Sequence, residues 1–197
     1  FRENINPAFE LAYWSWGLKK ANDWRERMGR ERNADWDRMA DQMAPWPVVN
    51  GVYVEAESVL EKDGGHPTQL AAYGFLPASA YLDKEVMRKT LRHVLDNWDW
   101  ADTWGWVFPL IAMTAIRLNE PEWALEALLK SVQKNTYLPN GHNFQNEGLP
   151  LYLPGNGGLL TVVAMMCAGW DGCTEGNPGF PKNGQWNVKW EGLKPAL

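Results

Sequence analysis

Two stretches of this chain have almost no polar face, and that limits what it can fold into. Gly105–Leu118 (GWVFPLIAMTAIRL) and Gly157–Trp170 (GGLLTVVAMMCAGW) are apolar nearly all round, as a helix is when neighbours cover most of its sides. Other segments carry one apolar stripe only. Asp83–Asn97 has an Asp at its N-cap, carboxylates in its first turn and an apolar face of Val86, Met87, Thr90, Leu91, Val94 and Leu95, the pattern of a surface helix with one buried side. The segment opened by Pro121-Glu122 and continuing to Asn135 is amphipathic in the same way. Buried helices alternating with half-exposed ones predict an all-α fold of helical hairpins, an inner ring wrapped by an outer one.

The rest of the chain fits that alternation. Pro7–Met28 reads as a long helix with Pro in its first turn and Gly29 as its stop. Asn33 can cap a shorter helix through Met43, ending before Pro45-Trp46-Pro47. VYVEAE after Gly51 predicts a short extended piece, and a further helix runs from His66-Pro67 to about Gly74. Residues 172–197, rich in Gly and Pro but holding Trp186 and Trp190, predict a tail that packs back on a single domain.

Composition narrows the partners. A net charge of −5 and a pI near 5.3 give no basic footprint for nucleic acid. No stretch reaches the roughly 18 apolar residues of a membrane span. His66, His93 and His142 lie far apart, and the two cysteines, Cys167 and Cys173, form no CxxC, so neither a structural metal nor another cofactor is expected. The excess is in tryptophan, 13 residues beside 6 Tyr and 6 Phe. Indoles fill cores or line pockets. A core position is the commoner fate of any one of them, while flat, faintly polar rings also suit the C–H faces of sugars.

In antiparallel hairpins the residues just before each inner helix gather at one rim. Those residues are Glu3, Asn4 and Asn6; His66, Thr68 and Gln69; Trp98, Asp99, Trp100, Asp102, Thr103, Trp104 and Trp106; and His142, Asn143, Gln145, Asn146, Glu147 and Asn156. Carboxylates, amides, His and Trp together are the groups that bond hydroxyls and stack on sugar rings. Taken singly, Asn6, Asp83 and Thr103 are equally well explained as helix caps, as are Asp99 and Asp102. Hydrolysis of a glycoside with inversion needs a general acid and, roughly 6.5–9.5 Å away, a carboxylate that activates water. Glu147 is the candidate for the second role.

The opening FRENINPAFELAYWSWGLKKA and the later NEGLPLYLPGNGGLLTVVAMMCAGW resemble two segments of the catalytic (α/α)6 barrel of glycoside hydrolase family 65, inverting α-glucoside phosphorylases and hydrolases. The resemblance implies that the chain corresponds to the C-terminal half of such a barrel. It implies that the general acid stands immediately before Phe1, that Glu3 and Asn4 match the family stretch directly, and that Glu147-Gly148-Leu149 falls on the segment of the general base. Glu147 and Glu3 are therefore the candidate catalytic carboxylates within the chain. The sequence departs from the family in placing Asn146 and Pro150 where two histidines stand, around the anion contacts that separate phosphorylases from hydrolases.

The implied activity is inverting hydrolysis of α-glycosides, with Asn4, His66, Gln69, Trp98, Asp99, Trp100, Asp102, Trp104, Trp106, His142, Asn143 and Asn156 as substrate contacts. A disaccharide phosphorylase and a non-catalytic carbohydrate-binding or scaffold domain are the alternatives. The implied partners are an oligosaccharide or glycoside and either the N-terminal half of the barrel or a second copy, and the implied setting is periplasmic or secreted.

Overall fold

The computed structural model describes residues 4–60 and 64–197; Glu3 lies outside them. The fold is mostly helical, with seven α-helices and two small two-stranded sheets among the described residues.

Helix α1 (Ala8–Arg27) follows Pro7 and stops at Gly29, whose φ of 70° continues no helix. Helix α2 (Ala34–Asp41) is capped by Asn33, whose side chain accepts from the backbone N–H groups of Asp35 and Trp36. A reciprocal pair locks the two helices together: Asn22 Nδ2 donates to Asn33 O at 2.9 Å, and Asn33 N–H donates to Asn22 Oδ1 at 2.8 Å. Asn22 is fully buried, so this pair satisfies polar groups that burial would otherwise penalise.

Strands β1 (Val48–Val49) and β2 (Val52–Tyr53) pair antiparallel. Their turn, Asn50-Gly51, has both residues at positive φ, the requirement of a type I′ hairpin. A 3-10 turn at Thr68–Leu70 leads into the single-turn helix α3 (Ala71–Gly74), and α4 (Lys84–Asn97) begins at an Asp83 cap bonded to the N–H groups of Glu85 and Val86.

Helix α5 (Val107–Arg117) is buried at every one of its eleven positions, as its unbroken apolar sequence predicts. Helices α3, α4, α6 (Pro121–Leu128) and α7 (Leu153–Ala168) all pack on it. Each fully buried Leu, Ile, Val or Phe contributes roughly 1.5–3 kcal/mol, so α5 is the axis of the core. The packing runs in an order: α1 on α3, α3 on α5, α5 on α7, with α2 against α1 and α6 against α5.

Three features differ from the sequence reading. Helix α6 ends at Leu128 rather than near Asn135 because Asn135 turns back and its Nδ2 donates to the carbonyls of Ala127, Leu128 and Lys130, occupying the helix end. Thr136–Tyr137 (β3) and Asn143–Phe144 (β4) form a hairpin inside the segment read as a loop. Helix α7 is apolar all round yet buries one side only: Val162, Met165 and Met166 face the core, while Leu153 and Leu160 are about two-thirds or more exposed.

In the tail, Ala196 pairs beside Trp170, its N–H donating to Gly169 O at 3.0 Å and its carbonyl accepting from Asp171 N–H at 2.8 Å, and Phe180 rests on the core. Cys167 and Cys173 are free thiols. Among the described residues no helix is long and apolar enough to cross a membrane.

Candidate functional site

Three of the four predicted loops meet. The 64–66 segment is pinned to the loop before α5 by two bonds to one carbonyl: Trp98 Nε1 and Thr103 Oγ1 donate to Gly65 O at 3.3 and 3.0 Å. The loop before α5 is pinned to the loop before α7 by Gly105 N–H, which donates to Gln145 Oε1 at 3.0 Å. Gln145 and Asn143 are fully buried. Gln145 Nε2 donates to Asn143 Oδ1, and Asn143 Nδ2 to the carbonyls of Lys134 and Thr136. The residue before Ala8 belongs to the fourth loop, where Asn6 Nδ2 bonds Glu57 Oε1 and Ala8 N–H bonds Glu55 O.

On this scaffold the rings form a continuous array. Tyr152 lies 5.3 Å from Trp104, Trp104 6.5 Å from His66, His66 4.8 Å from Trp106, and Trp106 6.5 Å from Phe75, ring centre to ring centre. Phe75 passes the array on to Phe9 of α1 at 6.3 Å. These spacings are those of mutually attractive aromatic pairs. Lys134 Nζ stands 5.4 Å over the Trp104 ring, a cation–π contact. Trp106, Phe75 and Tyr152 also border a cleft of about 680 Å³ between α5 and α7, within the size range of small-molecule sites. Burial raises the Tyr152 phenol above its ordinary pKa, so it stays a neutral hydrogen-bonding group at pH 7.

Of the predicted contact residues, His66, Trp104 and Trp106 are brought together in this array. The others are distributed differently. Asn143 is buried, and Asn156 is spent on structure, accepting from Asn143 N–H and donating to Gly141 O. Gln69 and Trp98 are buried and line a separate cavity of about 410 Å³ beneath the β1–β2 hairpin. Trp100 stacks on Phe108 at 5.7 Å, and Lys130 Nζ lies 4.6 Å from the centre of the Trp100 ring. Asp99 is exposed and accepts from Ala101 N–H, as a turn cap does. Asp102 is exposed beside Gly64, Asn4 is exposed, and His142 is half-buried with its backbone N–H bonded to Asn140 Oδ1.

Glu147 is exposed at the tip of a tight turn closed by Leu149 N–H on Asn146. The turn belongs to the same loop that Gln145 fastens to α5.

Of the 13 tryptophans, Trp46 and Trp98 are buried in the core and Trp16, Trp100, Trp106, Trp123 and Trp170 pack half-buried against it. The sequence reading missed Phe75, Lys134, Tyr152 and Arg117. Tyr152 stands immediately before α7 and obeys the same rim rule. Arg117 announces itself as the one charge in the apolar α5 segment. Phe75 follows the end of α3 and carries no such signal.

The sequence matches no family model and no curated protein.

Proposed function

We propose that this chain is a carbohydrate-active helical domain whose sugar site is the aromatic array at the meeting of the three loops. The observation that carries the reading is the Tyr152–Trp104–His66–Trp106–Phe75 run of rings, drawn from separate loops to one end of the core. Indole and phenol faces stack on the C–H faces of pyranose rings, while the adjoining amide, phenol and imidazole groups take the hydroxyls.

In the fuller form of the proposal, α1, α3, α5 and α7 are successive inner helices of an (α/α)6 toroid, and its remaining hairpins cover the open side of α7. Their packing order supports this arrangement. The chemistry is then inverting hydrolysis of an α-glycoside, with Glu147 as the base that activates water and the acid supplied from outside the described residues. A periplasmic or secreted setting goes with it. A second reading, a non-catalytic carbohydrate-binding domain, is favoured by the position of Glu147 outside the residues that line the cleft.

Glu147→Gln separates the two. If Glu147 is the base, the variant binds an α-linked oligosaccharide as the unaltered protein does and loses turnover. A protein that, with the acid-bearing hairpins present, binds the sugar and shows no turnover before or after the change is a binding domain. Absence of sugar binding in the unaltered protein contradicts both.

A further inference from the structure

We infer that the groove between α5 and α7 is a binding site for an apolar carboxylate, whose anionic end is taken by Arg117. The groove has two helical walls. Trp106 at the cap of α5 stands in line with Met113 and Arg117 on the helix, and Pro154, Gly158 and Met165 are likewise spaced by four and seven residues on α7. From Trp106 to Arg117 the helix rises about 16 Å at 1.5 Å per residue, so the groove is long, and its sides are almost wholly apolar until the guanidinium.

Arg117 is unusual. It is 7% exposed and pairs with no Asp or Glu side chain within ion-pair distance among the described residues. Its charge is held between two rings, the guanidinium carbon 5.9 Å from the centre of Tyr73 and 5.4 Å from that of Trp170. Tyr73 OH donates to the backbone carbonyl of Arg117 at 2.8 Å. Nε is buried and has no hydrogen-bond partner among the described residues. Burial lowers the guanidinium pKa, with the negative charge of Asp171 opposing the shift; a guanidinium remains cationic at neutral pH regardless. A buried cation with an unused donor is costly to leave unpaired, and an anion recovers that cost.

The structure already contains a stand-in. Arg117 Nη2 donates to the carbonyl oxygen of Leu197, an apolar residue lining this end of the groove. The tail bearing it is fastened through the two backbone bonds of Ala196. An apolar side chain with an oxygen acceptor at Arg117 is the chemistry of a fatty or aryl carboxylate. Such a ligand would displace Leu197 from Arg117, place its carboxylate where the Leu197 carbonyl lies and lay its apolar body along Met113 and Met165 toward Trp106.

The test is calorimetric titration of the whole chain with octanoate and with 1-octanol, which share the apolar body and differ in charge. Octanoate should bind about tenfold more tightly, the factor expected of one charge-assisted hydrogen bond pair. In Arg117→Met that ratio should fall to about one while octanol affinity is kept, and Arg117→Lys should restore part of it. Should Arg117→Met fail to fold, the octanoate-to-octanol ratio of the unaltered protein and its decline with added salt still decide. Equal affinity for the two probes, a ratio that survives Arg117→Met, or no binding of either overturns the inference. The two sites share Trp106, but the octanoate-to-octanol ratio is read with no sugar present and so stands apart from whether maltotriose binds at the aromatic array.

Discussion

The Asn143 carboxamide occupies the space that Gly105 leaves by having no Cβ: a Cβ built there would stand 2.0 Å from Asn143 Oδ1 and 2.6 Å from Gln145 Nε2. Gly155 approaches Asn143 from the other side in the same way, at 2.1 Å. The beginnings of α5 and α7 are thus held together by one buried amide between two glycines.

Gly105→Ala should therefore destabilise the fold by about 1–3 kcal/mol, the cost of overpacking a filled site. Asn143→Asp should cost at least as much, because it removes the two N–H donors that satisfy the carbonyls of Lys134 and Thr136 and buries a charge in their place. Urea unfolding measures both. A midpoint for Gly105→Ala equal to that of the unaltered protein would show that the loops can separate freely.

Arg32 organises a surface cluster, donating to both oxygens of Asp37 at 2.9 and 2.7 Å and to Asp23 at 3.0 Å and Glu26 at 2.9 Å. The Arg32 bonds hold the Asp37 carboxyl at a pKa of about 2, below its ordinary 3.8. A carboxylate with a depressed folded-state pKa lends stability that is present above the ordinary pKa and lost as pH falls through the folded one. The melting-temperature gap between the unaltered protein and Asp37→Asn should be constant from neutrality to about pH 5, narrow below about pH 4, and close near pH 2. The pair is partly exposed, so salt should narrow the gap at every pH. A gap that widened on acidification would contradict the assignment.

Helix α7 turns Leu153, Leu160 and Val163 toward solvent, at 67%, 73% and 40% exposure, with no charged residue along its length. Two such faces associate in water. Sedimentation should show the protein self-associating as concentration rises, and Leu160→Glu should remain monomeric with stability changed by less than about 0.5 kcal/mol. Identical sedimentation of the two would remove α7 as an association surface.

Periodicity made the helices legible. Asn33 and Asp83 cap where their chemistry says they should, and α5 is buried along its whole length. Periodicity could not distinguish α7 from α5, because an all-apolar stretch reads the same whether or not a neighbour covers its outer face. The β3–β4 hairpin was hidden for another reason: its strands are two residues long and are held by the Asn143 and Gln145 side chains rather than by an alternating pattern. The rule that residues before inner helices converge holds for His66, Trp104 and Trp106, whose rings lie together. Asn143, Asn156 and Gln69 sit at corresponding places in sequence, but the first two bond the surrounding backbone and Gln69 lines another cavity. Polar residue type alone does not tell a ligand contact from a satisfied buried amide.

The most direct test of the saccharide site is calorimetric titration of maltotriose into the unaltered protein and into Trp104→Ala. Trp104 is 37% exposed and carries both the Tyr152 and the Lys134 contacts, so its removal should spare the fold. Measurable binding by the unaltered protein, weakened about three- to tenfold in Trp104→Ala as the loss of about 0.5–1.5 kcal/mol of aromatic contact requires, is the predicted result. No binding by the unaltered protein, or equal binding by both, would contradict a sugar site at the aromatic array.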